Sequence, residues 1–492
     1  MPSTPGLGWG SRSQGRETRA IATVPNTPNV APRSASARTP VGWLRYALLG
    51  AAVLAELALL HAPRHSVASV LLVVGSASAA GALVVLEHRT RRLSLAPVAV
   101  AIGIVMIAAV MVPPRTSNDL WSYTMYGRMV TVHDASPYDH TPAEFRADPF
   151  TARVSPRWRH QPSVYGPLFV GVASAGAWVA GDSALIARLF FQLLAALALG
   201  AILVVIWSTT RRVAALVFLG LNPVLVVIVV NGGHNDAWLG LAILLASLCA
   251  VRRRPALAGV LLGLAALVKL TAVLALIGLV FWAWRHRDRR FAVVVALTSA
   301  VTVIVGYLPV LANASHVLGD ADHTVTNGSP WNVLVDRLLH HDAWRSVAKP
   351  LAPNDTLATV FVLGSITVVV IGTVLAWAAA RESRAEPAVG IAVAAYPVAA
   401  EYAFPWYAAW ALPVFASGGL TPLGGVVWLQ SILMLAALKL PIAVRGPALQ
   451  SSLRVVLTQV APPVMLVAFV VVALRLYPLR RPASEEVSAS AS

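Results

Sequence analysis

The sequence predicts an all-α integral membrane protein of the polytopic kind, with about twelve to fourteen transmembrane helices. Three observations carry this. Of 492 residues, 57% are hydrophobic and only 12% are charged, against roughly 25% charged in ordinary soluble domains. Apolar runs recur at about the 17–25 residues a helix needs to cross hydrocarbon, too long for barrel strands. The arginines sit in short clusters between those runs, as cytoplasmic loops require. That clustering accounts for the net charge of +17 without invoking nucleic acid as a partner. The single cysteine, Cys249, lies in an apolar run, so no intrachain disulfide forms.

Residues 1–40 are rich in Ser, Thr, Pro, Gly and Arg, and read as a disordered basic cytoplasmic tail rather than a signal peptide. A transmembrane domain follows over 41–475, with a cytoplasmic tail at 476–492. Its first apolar runs lie at about 41–61, 66–86 and 95–112, and Glu87–Arg92 marks a cytoplasmic turn by charge. With the N-terminus inside, the third helix exits on the outer face. The long loop at 113–183 is then extracytoplasmic, where nucleotide sugars and ATP are absent.

Apolar segments follow at 167–180 and about 184–207. If both crossed, Arg211-Arg212, Arg252–Arg254 and the Arg285–Arg290 cluster would face outward. Treating 167–180 as an interfacial helix removes the conflict; it is short and rich in Ala and Gly. Further spans lie at about 213–230, 237–251, 255–268, 271–284, 291–312, 357–380, 388–403, 406–418, 421–440 and 453–474. Several are too short for a full crossing, so 255–284 and 388–418 are expected to be hairpins or broken helices. This reading puts Asn231–Asp236, Lys269 and a second loop at 313–356 on the outer side. Both termini stay in the cytoplasm.

The 113–183 loop spends unusual length on polar and aromatic residues, and long loops in compact domains usually carry function. Asp119, just past an apolar helix, is a candidate general base for an acceptor hydroxyl attacking a sugar carbon; a helix cap is the bland alternative. Asn231-Gly232-Gly233-His234-Asn235-Asp236 interrupts two apolar runs, and His and Asp there are expensive unless employed. Lys269, within a 30-residue apolar block, must snorkel or meet an anion, and phosphate suits a point cation. The candidate phosphate ligands are Arg128, His234 and Lys269, with Arg115 in reserve. Candidate sugar or acceptor contacts are Tyr123, Tyr165, Asn235, Asp236, Glu401, Trp406 and Tyr407. Asp320-Ala321-Asp322-His323 has the look of a metal pair, a spacing that arises often by chance. No P-loop, dinucleotide fingerprint, nucleophile elbow or zinc spacing occurs.

Taken together, these motifs make the chain resemble a GT-C glycosyltransferase that uses a polyprenyl-phosphate sugar. More narrowly, it is similar to the actinobacterial polyprenyl-phosphomannose-dependent α-1,6-mannosyltransferases. The matching pieces are Asp119-Leu120-Trp121-Ser122-Tyr123 with Gly127-Arg128 and Pro137-Tyr138, then Tyr165-Gly166-Pro167-Leu168. They continue with His234-Asn235-Asp236, Gly259 to Lys269, Pro405-Trp406-Tyr407 and Trp410 to Pro413. The resemblance implies a lipid-linked mannose donor with its phosphate at the outer interface, a glycan or glycolipid acceptor, inversion at the sugar carbon, and Asp119 as base. It implies no metal or other cofactor. Trp121, where relatives often have Tyr, and Leu270, where Pro or Gly is common, depart from the pattern. An arabinosyltransferase of the same fold is one alternative. A lipid or sugar transporter is another, although no inverted repeat is visible.

Overall fold

The computed structural model describes residues 40–311, 324–340, 353–440 and 448–479. The described chain is helical, with no strand. The first half holds α1 (Pro40–His61), α2 (Val67–Thr90), α3 (Leu95–Met111), α4 (Asp119–Thr131), α5 (Pro167–Ala180), α6 (Ala184–Thr210), α7 (Val213–Gly220) and α8 (Asp236–Val251). Next come α9 (Pro255–Val268), α10 (Val273–Arg285), α11 (Arg289–Tyr307), α12 (Asn332–His340) and α13 (Pro353–Ala379). The last are α14 (Glu386–Ala399), α15 (Ala408–Gly418), α16 (Pro422–Lys439), α17 (Ala448–Val455) and α18 (Ala461–Leu476).

Helix starts follow the residues able to satisfy orphaned N–H groups. Ser66, Ser183, Asp288 and Thr421 each accept the N–H three residues on, at the heads of α2, α6, α11 and α16. Pro stands in the first turn of α5, α9 and α16, where its missing N–H costs nothing.

Seven described helices are long and apolar enough to cross a membrane, as an all-α multi-pass protein requires. The run expected as one helix over 213–230 is instead bent by 47° between α7 and a π-helical segment, Val224–Val230, and that pair supplies an eighth candidate span. Asn222-Pro223 causes the break. Pro223 has no N–H to give, and Asn222 turns its side chain back to accept the Val224 N–H at 2.8 Å. Shorter apolar helices include α5, α8, α9 and α14.

The two ends of the bundle differ in chemistry. At one end His88, Arg91, Arg211 and Arg212 line a single cleft, and Arg253 pairs with Asp288 at 2.6 Å. There too Trp282, on α10, donates to the Glu382 carbonyl, and Arg381 reaches the Pro478 and Leu479 carbonyls. The long loop after α3 lies at the other end. Helix α5 starts and stops there: the Gly166 N–H donates to the Val268 carbonyl at 3.1 Å, and the Gly181 carbonyl accepts from Arg128 at 2.6 Å. Helix α6 then leaves from beside the end of α3, with Arg188 donating to the Met111 carbonyl.

Helices α4 and α5 meet backbone to backbone. A Cβ on Gly127 would stand 2.1 Å from the Ala173 carbonyl oxygen. Gly127→Ala is expected to cost about 3 kcal/mol by overpacking, because backbone cannot yield as a side chain would. A lowered unfolding midpoint of the detergent-purified protein would register it.

Candidate active site

Three breaks in the helical frame face one another at the loop end. The first is the α3–α4 turn, which delivers Asp119. Its carboxylate is not spent on capping: Asn118 makes no cap bond, and the Ser117 hydroxyl accepts the Asp119 N–H at 3.1 Å. The side chain keeps 22% exposure. Burial raises its pKa above the ordinary carboxylate value, against the Ser117 hydroxyl and the charges of Lys269 and Arg64.

The second break is Asn231–Asn235, after the π-helical segment. Gly233 adopts φ +65°, a left-handed conformation that a side chain would strain. Asn231 and Gln192 anchor this turn on the end of α3. The Asn231 side chain donates to the Ala109 and Val112 carbonyls at 2.9 and 2.8 Å, and Gln192 donates to the Asn231 carbonyl at 2.7 Å. These bonds satisfy helix-end carbonyls that would otherwise be orphaned. They also fix the turn beside Asp119: His234 Nδ1 stands 3.6 Å from Asp119 Oδ2 and 3.7 Å from Asp236 Oδ2.

Lys269 is the third break, the residue between α9 and the next short turn. Its Nζ donates to Asp236 Oδ1 at 3.1 Å, and the Trp410 Nε1–H donates to the same oxygen at 2.7 Å. The ammonium stands 4.5 Å from the centre of the Tyr407 ring and 5.2 Å from that of Trp410. A desolvated cation over aromatic rings gains about 2 kcal/mol. Tyr165 closes a further side at 6.0 Å.

Asp119, His234, Asp236 and Lys269 therefore form one chain of contacts. His234 and Asp236 are wholly buried. Both imidazole nitrogens, both polar atoms of the Asn235 amide and Asp236 Oδ2 lack a hydrogen-bond partner among the described residues. Orphaned buried polar atoms are rare in folded proteins, and five lie within three consecutive residues. Burial lowers the His234 pKa to about 4, offset by Asp236 and reinforced by Lys269, so the imidazole is neutral at pH 7.

Aromatic residues wall the group. Trp406 stacks on His234 at 4.5 Å and on Phe404 at 4.3 Å. Phe404 also lines a cavity of about 390 Å³ bounded by Arg157, Thr326, Asn327 and Met434. Tyr123 is packed among Tyr165, Phe169 and Phe191 and serves as floor rather than open surface. The segment 324–331 ties down the break between α14 and α15: Thr326 donates to the Ala403 carbonyl, Ser329 to that of Ala400 and Trp331 to that of Ala399. Glu401 lies in that break with its carboxylate turned against Gly364 of α13.

Besides Tyr123, two further expectations change. Arg128 does not join the phosphate candidates. It is 3% exposed, and it donates to Asp148 at 2.8 Å and to the Gly181 carbonyl at 2.6 Å, with Asp182 at 2.9 Å. It clamps the long loop onto the α5–α6 turn, and Asp148, the partner that claims it, is a loop residue no periodicity announces. Trp406, expected to offer a face to sugar, is 8% exposed and already stacked on two rings. Asp320, Asp322 and His323 lie outside the described residues, and among the described ones no cluster of three metal-binding side chains occurs. Ser117 and Phe404 carry no sequence signal, and Trp410 only its place in the Trp410 to Pro413 piece; the folded contacts bring all three to the site.

Comparison with known proteins gives the kinship. A family model described as alpha-(1->6)-mannopyranosyltransferase, N-terminal domain, matches residues 35–286. Alpha-(1->6)-mannopyranosyltransferase A of Corynebacterium glutamicum is 26% identical over 194 residues, 38% of this chain and 38% of that relative. The protein of the same name from Mycobacterium tuberculosis is 26% identical over 337 residues, 62% of this chain and 61% of the relative. Alpha-(1->6)-mannopyranosyltransferase B of C. glutamicum is 29% identical over 247 residues, 44% of this chain and 40% of the relative. The chain thus spans less than two thirds of each of these relatives.

Proposed function

The chain belongs to the family of alpha-(1->6)-mannopyranosyltransferases, and from that premise we propose that it is a membrane glycosyltransferase. It moves a hexose, mannose by kinship, from a polyprenyl-phosphate donor to a glycan or glycolipid acceptor on the outer face of the membrane. The observation that carries the reading is the meeting of Asp119, His234, Asp236 and Lys269 at the end of the bundle away from the arginine clusters. A partly exposed carboxylate there borders buried polar groups whose hydrogen-bonding capacity is unused.

In the step proposed, the acceptor oxygen attacks the anomeric carbon and loses its proton to Asp119. The bond from that carbon to the donor phosphate oxygen breaks with inversion, through an oxocarbenium-like state. The electron pair leaves with the polyprenyl phosphate. His234, neutral and sealed behind Asp119 at 3.6 Å, positions that carboxylate and adds no charge of its own. Lys269 contributes its cation from a seat fixed by Asp236 and Trp410, and preorganised charge in a water-poor site acts strongly on charge that develops in the transition state. Tyr165, Tyr407 and Asn235 border the same group. No metal is assigned a role.

The test is transfer by purified protein in liposomes given defined polyprenyl-phosphate sugars, with mass analysis of the acceptor. A hexose increment from the mannosyl donor is the expected product. A pentose increment would move the reading to an arabinosyl donor, and donor movement across the bilayer without any covalent product would defeat it. The pH profile adds a second check. Asp119 must be ionised to act, and its pKa lies above the ordinary carboxylate value, so kcat/KM should fall on acidification at a pH higher than a free carboxylate would give. With the His234 pKa lowered to about 4, His234→Gln should leave the position of that acidic limb unchanged.

A further inference from the structure

The group around Asp119 is poorly charged for holding a phosphate by itself. Two carboxylates, Asp119 and Asp236, face one ammonium, Lys269. A different set of cations meets three residues upstream of Asp119. Arg64, in the α1–α2 turn, donates to the Thr116 carbonyl at 3.0 Å. Arg115 donates to the His61 carbonyl at 2.8 Å, and Lys439, the last residue of α16, donates to Thr116 Oγ1 at 2.7 Å. The three segments are laced together further. The Ser66 N–H donates to the Lys439 carbonyl at 2.9 Å, and His65 Nδ1 stands 3.1 Å from the Leu438 carbonyl.

None of the three cations has a carboxylate within ion-pair distance among the described residues. Lys439 is 1% exposed. A buried ammonium without a counter-charge is costly, and two guanidinium groups beside it add repulsion; their fields reach Lys439, and that of Arg64 reaches Asp119. Arg64 and Arg115 are exposed at the surface, whereas Thr116 is half-buried. Because the Thr116 hydroxyl oxygen accepts from Lys439, its own proton is left to donate outward.

We propose that Arg64, Arg115 and the Thr116 hydroxyl bind the phosphate of a lipid-borne substrate beside Asp119. Lys439 is the positioning residue that orients Thr116 and supplies a fixed positive charge behind it. This rests on the transferase reading for its purpose, but its chemistry, recognition of a lipid phosphate at the end of the bundle that carries Asp119, stands on these contacts.

The test uses the full chain in detergent, titrated by tryptophan fluorescence with a long-chain polyprenyl monophosphate, the matching polyprenol, and an anionic phospholipid. The wild type should bind the phosphate form well above the polyprenol. Arg64→Gln with Arg115→Gln should weaken that binding by about tenfold or more, as expected for lost charge-assisted hydrogen bonds, and leave polyprenol binding alone. Lys439→Met should do the same, and Lys439→Arg should restore it, which a purely structural role would not require. Loss of affinity confined to the anionic phospholipid would make the phosphate that of a membrane lipid or glycolipid acceptor rather than of the donor. Unchanged affinity for both phosphates in the double arginine variant would overturn the proposal. Arg115→Gln alone, an exposed single change, keeps the test open if the double variant misfolds. A wild type that binds phosphate in this charge-dependent way but transfers no sugar would retire the transferase reading and leave the patch standing.

Discussion

Asp119→Asn lowers hexosyl transfer by about 10²–10⁴-fold and leaves the protein folded and able to bind its donor. The amide keeps the volume and the place beside Ser117, and it cannot take a proton from the acceptor oxygen. Asp119 is the member of its group that is open to an incoming hydroxyl; His234 and Asp236 are sealed. The loss should therefore appear in kcat, with donor KM within a few-fold of wild type. Initial rates with a saturating lipid-linked donor measure it. Rates near wild type would remove Asp119 as the base.

Asp236→Asn has the second large effect, through a different cause. Asp236 holds Lys269 at 3.1 Å and Trp410 at 2.7 Å on a single oxygen, with no exposure of its own. Removing its charge strands Lys269 among Tyr165, Tyr407 and Trp410. Breaking one side of a buried ion pair costs about 3–5 kcal/mol, so a clear drop in unfolding midpoint is expected together with loss of transfer. Adding Lys269→Met to that variant should recover much of the stability, since the stranded charge is gone, and none of the activity. If stability does not return, the pair is not the unit described here.

How much of this was legible beforehand depends on the kind of signal. Asp119 and Lys269 stand out because charge next to apolar sequence is expensive, and both lie in the group that the fold assembles. The 231–236 turn is likewise visible through its paired glycines. The parity of the arginine clusters favours a non-crossing 167–180, an expectation that rests on charge alone. What no linear pattern carries is long-range pairing. Arg128 looks like a phosphate ligand until Asp148, twenty residues on, claims it. Arg64 and Lys439 are 375 positions apart, and the fold brings both onto Thr116. The bend at Asn222-Pro223 was hidden by the uniform apolarity of its flanks, which hides a change in helix type. Trp410 stands in the sequence only as the head of the Trp410 to Pro413 piece; its bond to Asp236 joins residues 174 positions apart.

The side of the membrane that holds Asp119 decides the chemistry, because a lipid-linked donor is needed only where nucleotide sugars do not reach. Ala147, exposed on the long loop, and Arg290, exposed at the opposite end of the bundle, can each be replaced by Cys with the buried Cys249 changed to Ser. A membrane-impermeant maleimide applied to intact cells should label Ala147→Cys, and should label Arg290→Cys only after the cells are opened. The reverse pattern would put the site in the cytosol and contradict the account.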